Sequence, residues 1–198
     1  DKTYAGALTG SGTLSNTGIS TLTLTGTNTI TNIALATANG RLQVSGSGTL
    51  STGTTISVAE NAVYYAKNTD TVAGITGAGI VDIAPGITLS AGNSSAATTF
   101  TGIIRSSQVL AEDGSVDTAY GSFNKVGSEA LTVSGTVGRL TTLTISEGSL
   151  TLGGDDIINN FTPVVLEDIT GAVFNLNNNS DTIGNLSSST NNNGGNVT

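Results

Sequence analysis

The chain has 198 residues, 36% hydrophobic and only 10% charged, with 27 Gly, 2 Pro, no Cys, His, Met or Trp, and a formal net charge of −8. Without His or Cys there is no imidazole base, Ser-His pair, thiolate nucleophile or disulfide framework. Six cations, Lys2, Arg41, Lys67, Arg105, Lys125 and Arg139, form no basic run in the sequence, so nucleic acid is not an expected partner, and apolar runs such as Ala62-Val63-Tyr64-Tyr65-Ala66 are too short to span a bilayer.

Along the chain, strand follows strand. From Ser20 to Asn32, Thr21, Thr23, Thr25, Thr27, Thr29 and Thr31 share one face, while Leu22, Leu24 and Ile30 share the other. Period two over that length marks a half-buried strand. The alternation returns at 42–44, 55–58, 80–83, 87–89, 131–133, 143–145, 150–152 and 173–176. No stretch keeps apolar residues at helical spacing for more than a turn or two, and Ser106 to Gly121, the least regular region, reads as a loop or a single helical turn.

Two phrases punctuate these strands. One pairs an Asn or Asp with a β-branched residue, a second turn former and another apolar residue: Asn28-Thr29-Ile30-Thr31-Asn32-Ile33, Asp70-Thr71-Val72-Ala73-Gly74-Ile75, Asp156-Ile157-Ile158-Asn159-Asn160-Phe161 and Asp181-Thr182-Ile183-Gly184-Asn185-Leu186. It reads as a corner at which Asn28, Asp70, Asp156 and Asp181 turn the chain and Ile30, Val72, Ile158 and Ile183 re-enter the core. The other is Gly-x-Gly, at Gly10-Ser11-Gly12, Gly46-Ser47-Gly48 and Gly77-Ala78-Gly79. A phosphate-cradling loop would lead into a helix, whereas here alternation follows each time, so these glycines are expected at corners or close backbone approaches.

Strands recurring every 10 to 12 residues or so suit a sandwich or a solenoid. The repeated corners, their Asn and Gly residues and the scarcity of aromatics favour the solenoid. The expected fold is all-β, a right-handed parallel β-helix with little or no helix and a single domain over 1–198. Coils of about 20 residues stacked roughly 4.8 Å apart give about nine coils and a rod of roughly 40 Å.

The segments Lys125-Val126-Gly127-Ser128-Glu129-Ala130-Leu131-Thr132-Val133-Ser134-Gly135 and Ser146-Glu147-Gly148-Ser149-Leu150-Thr151-Leu152-Gly153-Gly154 resemble the autotransporter-associated β-strand repeat of type V secreted passenger domains. Asn175 to Leu186 resembles the phrase that closes such repeats, Asp70 to Gly79 resembles it again, and Ala97 to Ile104 is similar to the Thr-Thr-Phe-Thr-Gly segment between them. The Thr-Ile-x-Asn-Leu phrases and Thr-Val-Gly linkers are closest to surface-antigen passengers of rickettsia-like bacteria. The resemblance implies an extracellular or bacterial cell-surface location and an excised or processed piece of a longer passenger. It also implies a structural and adhesive role, a rigid stalk mediating attachment to another cell or host surface. The absence of cysteine fits export in an unfolded state.

Some β-solenoids cleave polysaccharides, a reaction that would require carboxylate pairs at a separation of roughly 5 to 9.5 Å. The candidates are Glu112, Asp113 and Asp117, then Asp155 and Asp156, then Glu167 and Asp168. Asp155-Asp156 after Gly153-Gly154 reads as a turn, Glu167 and Asp168 point to opposite faces of an extended chain, and Arg105 and Lys125 are in other segments. Glu112 to Asp117 lacks the opening and closing ligands of a calcium loop, and Gly153-Gly154-Asp155 occurs once where the calcium nonapeptide repeats. Outward threonines at 21–31 and 142–144 invite comparison with ice-binding ladders, but β propensity and solubility explain them. The sequons at Asn93, Asn160, Asn178, Asn185 and Asn196 are expected by chance in so Asn/Ser/Thr-rich a chain. No catalytic, cofactor or metal residue is therefore assigned, and no enzyme is expected. The alternative to adhesion is a self-assembling extracellular fibre or surface-layer subunit, a homopolymer pairing through end coils or strands.

Overall fold

The computed structural model describes residues 1–92, 95–107, 119–167, 171–189 and 195–198. Its strands in chain order fall into successive coils. The first coil holds β1 (Lys2–Tyr4) and β2 (Thr9–Asn16), the second β3 (Thr21–Leu24) and β4 (Thr29–Leu35), and the third β5 (Arg41–Val44) and β6 (Thr55–Val58). From β7 (Val63–Ala66), β8 (Asp70–Val72) and β9 (Gly74–Gly77) the coil has three sides. The next is β10 (Ile80–Ile83), β11 (Thr88–Ala91) and β12 (Thr98–Phe100); then come β13 (Ile103–Arg105), β14 (Ser122–Lys125) and β15 (Leu131–Val133). They are followed by β16 (Thr136–Val137), β17 (Leu143–Ile145) and β18 (Ser149–Leu152), then β19 (Val164–Leu166) and β20 (Val173–Asn175), and last β21 (Leu186–Ser188) and β22 (Asn196–Val197). No helix occurs among the described residues.

Every strand pairing among the described residues is parallel, and every neighbour is the same side of the next coil. The sheets have seven strands (β1-β3-β5-β7-β10-β13-β16), six (β8-β11-β14-β17-β19-β21) and nine (β2-β4-β6-β9-β12-β15-β18-β20-β22). This is a parallel β-solenoid of about eight turns, its nine-stranded sheet holding one strand from each of nine stacked layers, close to the expected nine coils. The coils are uneven in length: Ile103 stacks on Thr136, and residues 106–121 fall in the chain between β13 and β14 of a single coil.

The core is a set of inward ladders. Leu42, Tyr64, Val81, Ile104 and Val137 stack on the seven-stranded sheet, and Leu35, Val58, Gly77, Phe100, Val133 and Leu152 on the nine-stranded one. Apart from Gly77, all of these are buried in one continuous cluster. Full burial of each Leu, Ile or Val stabilises the fold by about 1.5–3 kcal/mol. A weakly hydrophobic chain can therefore hold together, because half of each short strand faces inward.

The long alternation at 20–32 is not one strand. It breaks between β3 and β4, on different sheets, because Gly26 passes against the Gly6 carbonyl, where no Cβ fits, and Asn28 is fully buried at the corner. Glycine corners recur up the stack: a Cβ on Gly102 would collide with the Gly79 carbonyl oxygen, and one on Gly135 with that of Gly102. In the Gly-x-Gly phrases, Gly46 and Gly77 have φ of 65° and 99°, as corner residues should. Gly10-Ser11-Gly12 instead lies inside β2, at a register shift between Gly10 and Thr13.

Candidate functional site

Alternation along the strands of the seven-stranded sheet decides which residues face out. Leu42, Tyr64, Val81 and Ile104 point inward, so Arg41, Val63, Ile80 and Ile103 form one outer column in register, and Gln43, Tyr65, Asp82 and Arg105 the next. Lys67 follows β7 and lies over the Tyr65 ring, 5.6 Å from its centroid. Arg139 follows β16, beside Gly138, whose amide donates to the Ile104 carbonyl. The Arg139 guanidinium is sandwiched between Tyr120, 4.9 Å from the ring centroid, and Phe161, 5.4 Å away. Phe161 is 69% exposed.

Four of the chain's six cations thus lie on or beside one face, although no basic run exists in the sequence. Of the other two, Lys2 is on the terminal strand β1 of this sheet, and Lys125 is buried. The strands of the sheet contain a single carboxylate, Asp82. Its Oδ2 accepts from Arg105 Nε at 3.2 Å and from Ser107 Oγ at 2.6 Å, and its Oδ1 from the Ser107 amide at 2.9 Å. Asp82 is thereby consumed at the base of the inserted segment, where Ser106 Oγ accepts from the Gly121 amide at 2.8 Å. The Arg105–Asp82 pair is the only ion pair among the described residues, so Arg41, Lys67 and Arg139 have no carboxylate partner there. Burial and the Asp82 charge raise the Tyr65 phenol above its ordinary pKa, an effect opposed by Arg41.

Lys125 is a different kind of group. It occupies an inward position of the six-stranded sheet, stacked between Ala91 and Ile145, and is fully buried. Its Nζ donates to the Val126, Gly127 and Glu147 carbonyls at 2.8, 2.7 and 2.9 Å, which satisfies all three ammonium hydrogens. Burial lowers its pKa from 10.5 to about 8, against the opposing charges of Glu147 and Glu129. The small Ala91-Gly92 pair of the preceding coil makes the room: a Cβ on Gly92 would lie 2.9 Å from Lys125 Cδ. Lys125 ties two coils together.

The corner phrase acts between coils. Asn28 Oδ1 accepts from the Leu8 amide at 3.2 Å, Asp70 Oδ2 from Leu50 at 2.6 Å, and Asp181 Oδ2 from Ile157 and Ile158 at 2.9 and 3.0 Å. Each takes up backbone donors of the preceding coil. Asp156 does not: it sits in a left-handed turn at φ 49° and its amide donates to the Ser180 carbonyl. Ile30, Val72 and Ile158 are buried as expected, whereas Ile183 is only partly buried. The phrase also marks two corners. Asn28 and Asp70 meet through Thr49 and Leu50, while Asp181 stacks over Ile158, which bridges to Val137 on another side.

Of the candidate acids, Glu112, Asp113, Asp117 and Asp168 lie outside the described residues. Asp155 and Asp156 are not buried, and Asp155 Oδ1 accepts from the Ser180 amide at 2.7 Å. Glu167 is half-buried in the next segment, its amide donating to the Ile145 carbonyl. Among the described residues no three His, Cys, Asp or Glu gather as a metal site. The threonines at 21 and 23 stack on Arg41 and Gln43, so their column does not continue as threonine.

The class that these features define is a parallel β-solenoid with one cationic, aromatic-lined face. No protein-family model, curated protein or solved structure matches the chain. No helix among the described residues is long and apolar enough to cross a membrane.

Proposed function

We propose that this protein is a non-enzymatic structural and adhesive rod of the bacterial cell surface or extracellular space, holding a binding face at a distance from its anchor. The observation that supports this reading best is the continuous core. Inward ladders run from coil to coil without a break into separate domains, so the rod resists bending while its outer columns stay free to vary. The resemblance of 125–154 to passenger repeats points the same way. The test is labelling of intact cells of the encoding organism with antibodies raised against the chain, together with attachment of chain-coated beads to surfaces. Labelling only after permeabilisation, with beads no stickier than uncoated ones, would sink the proposal.

A second reading, a self-assembling fibre, has its own observation. Among the described residues no strand lies beyond β1 and β2 at one end or β22 at the other, and Leu186 and Val197 near the last coil's edge are 50% and 42% exposed. Such edges template further pairing. Electron microscopy of the purified chain separates the two: single rods support the stalk, and filaments that persist on dilution support the fibre.

A further inference from the structure

From the cationic outer face of the seven-stranded sheet we infer a binding site for an anionic polysaccharide, one bearing carboxylates along its length and lying parallel to the solenoid axis. The ligand class deepens the adhesive reading and rests on it.

The argument begins with charge. A chain of net charge −8 has few cations to place, and random placement would scatter them over three sheets. Instead Arg41, Lys67, Arg105 and Arg139 fall on or beside a single face, in the third, fourth, sixth and seventh coils. Along the axis Arg41 and Arg139 are four steps of about 4.8 Å apart, roughly 19 Å, and Lys67 and Arg139 are set off along the strand direction, just past the ends of β7 and β16. Arg105 spends its Nε on Asp82 and is partly neutralised; Arg41, Lys67 and Arg139 are not paired with any described carboxylate. The rest of the chain carries the net negative charge, so an anionic polymer is attracted to this face and repelled by the others.

Charge spacing then selects among anionic polymers. Duplex DNA presents one charge per roughly 1.7 Å, far denser than one cation every coil or two. A polysaccharide with one carboxylate per sugar or disaccharide has a linear charge density nearer to that of the face. Aromatic rings accompany the cations: the Tyr65 ring beside Lys67, and Tyr120 and Phe161, from the coils before and after it, beside Arg139. A ring stacked on a guanidinium pre-orders it for two-pronged contact with a carboxylate. The exposed face of Phe161 packs against the C–H side of a sugar. The Val63, Ile80 and Ile103 column continues uncharged from Arg41 along the axis, and in the next column the one carboxylate, Asp82, is buried and held by Arg105 and Ser107.

The experiment uses the full chain against immobilised polygalacturonate, with neutral dextran and duplex DNA as comparison surfaces, measured by biolayer interferometry at low salt and at about tenfold higher NaCl. Binding to polygalacturonate should exceed that to dextran and DNA and weaken at least about tenfold at the higher salt. The triple variant R41A/K67A/R139A should lose at least about tenfold in affinity and Phe161→Ala several-fold. Glu129→Gln, in the corner between β14 and β15, should leave binding unchanged or slightly tighter. Circular dichroism melts matching the parent's establish that the surface variants fold; if the triple variant melts early, the single charge-preserving change Arg139→Lys, which keeps charge but not the planar fork, should still weaken binding. Equal binding to dextran, tighter binding to DNA, or an unaltered triple variant overturns the inference. If polygalacturonate binding is absent while chain-coated beads still adhere to cells, the ligand class falls and the adhesive reading stands; if the beads also fail, both fall.

Discussion

Lys125 gives the sharpest test of how this solenoid is held together. Replacing it with Met keeps an unbranched chain of similar length between Ala91 and Ile145, so packing is nearly conserved. What is lost is the donor to three carbonyls at 2.7 to 2.9 Å. Each buried carbonyl left without a partner costs about 1 kcal/mol. A fraction of that is recovered because no ammonium has to be desolvated, so K125M should be less stable by about 2 kcal/mol. The pH dependence has a defined sign. The lysine has a pKa of about 8 in the fold, below its ordinary 10.5, so between those values the unfolded chain binds the extra proton and stability rises with pH. The parent should therefore gain on K125M from pH 8 to 10.5 and show a constant difference below about pH 7. Urea unfolding followed by circular dichroism across that range reads both effects. A K125M protein as stable as the parent near neutral pH, or a difference that shrinks as the pH rises past the folded-state value of about 8, would refute the assignment of Lys125 as a buried tie between coils.

Four other outcomes follow from the same packing. Tyr64→Phe removes a buried hydroxyl that has no hydrogen-bond partner among the described residues, and should raise stability by about 1 kcal/mol in urea unfolding, since an unpaired buried polar group only costs. Gly102→Ala drives a Cβ into the Gly79 carbonyl and to 2.8 Å from Phe100 Cζ; a loss of about 3 kcal/mol is expected, seen as a lowered thermal midpoint. Asp70→Ala leaves the Leu50 and Thr71 amides without their acceptor and should cost about 2 kcal/mol, with faster hydrogen exchange at both amides. Asp70→Asn should retain most of that stability, because Asn28 already performs the same capping in an earlier coil, where its side-chain oxygen accepts from the Leu8 amide.

Much of the scaffold is legible in the chain, because a strand's alternation is a local property. Leu42-Gln43-Val44, Leu131-Thr132-Val133 and Leu143-Thr144-Ile145 have the burial that their period-two pattern implies. The run at 20–32 misleads for the same local reason: threonine alternation continues across a corner that only the neighbouring coil's Gly6 carbonyl defines. The phrase shared by Asn28, Asp70, Asp156 and Asp181 signals a turn former, but whether its side chain caps the coil below depends on which donor lies there. Three of the four meet one, and Asp156 spends its own amide on Ser180 instead.

The sequence by itself determined the all-β character, the inward and outward faces of most strands and the preference for coils, since hydrophobic period and turn residues act over a few neighbours. Tertiary structure decided what depends on register between coils. Lys125 looks like a surface lysine until Ala91 and Gly92, from the coil before it, are stacked beneath it and leave its stem a channel to three carbonyls. In the same way, Arg41, Lys67, Arg105 and Arg139 are isolated charges in the chain. Uneven coil lengths, including the insert at 106–121, bring them to one face, and no local pattern encodes that sum of lengths.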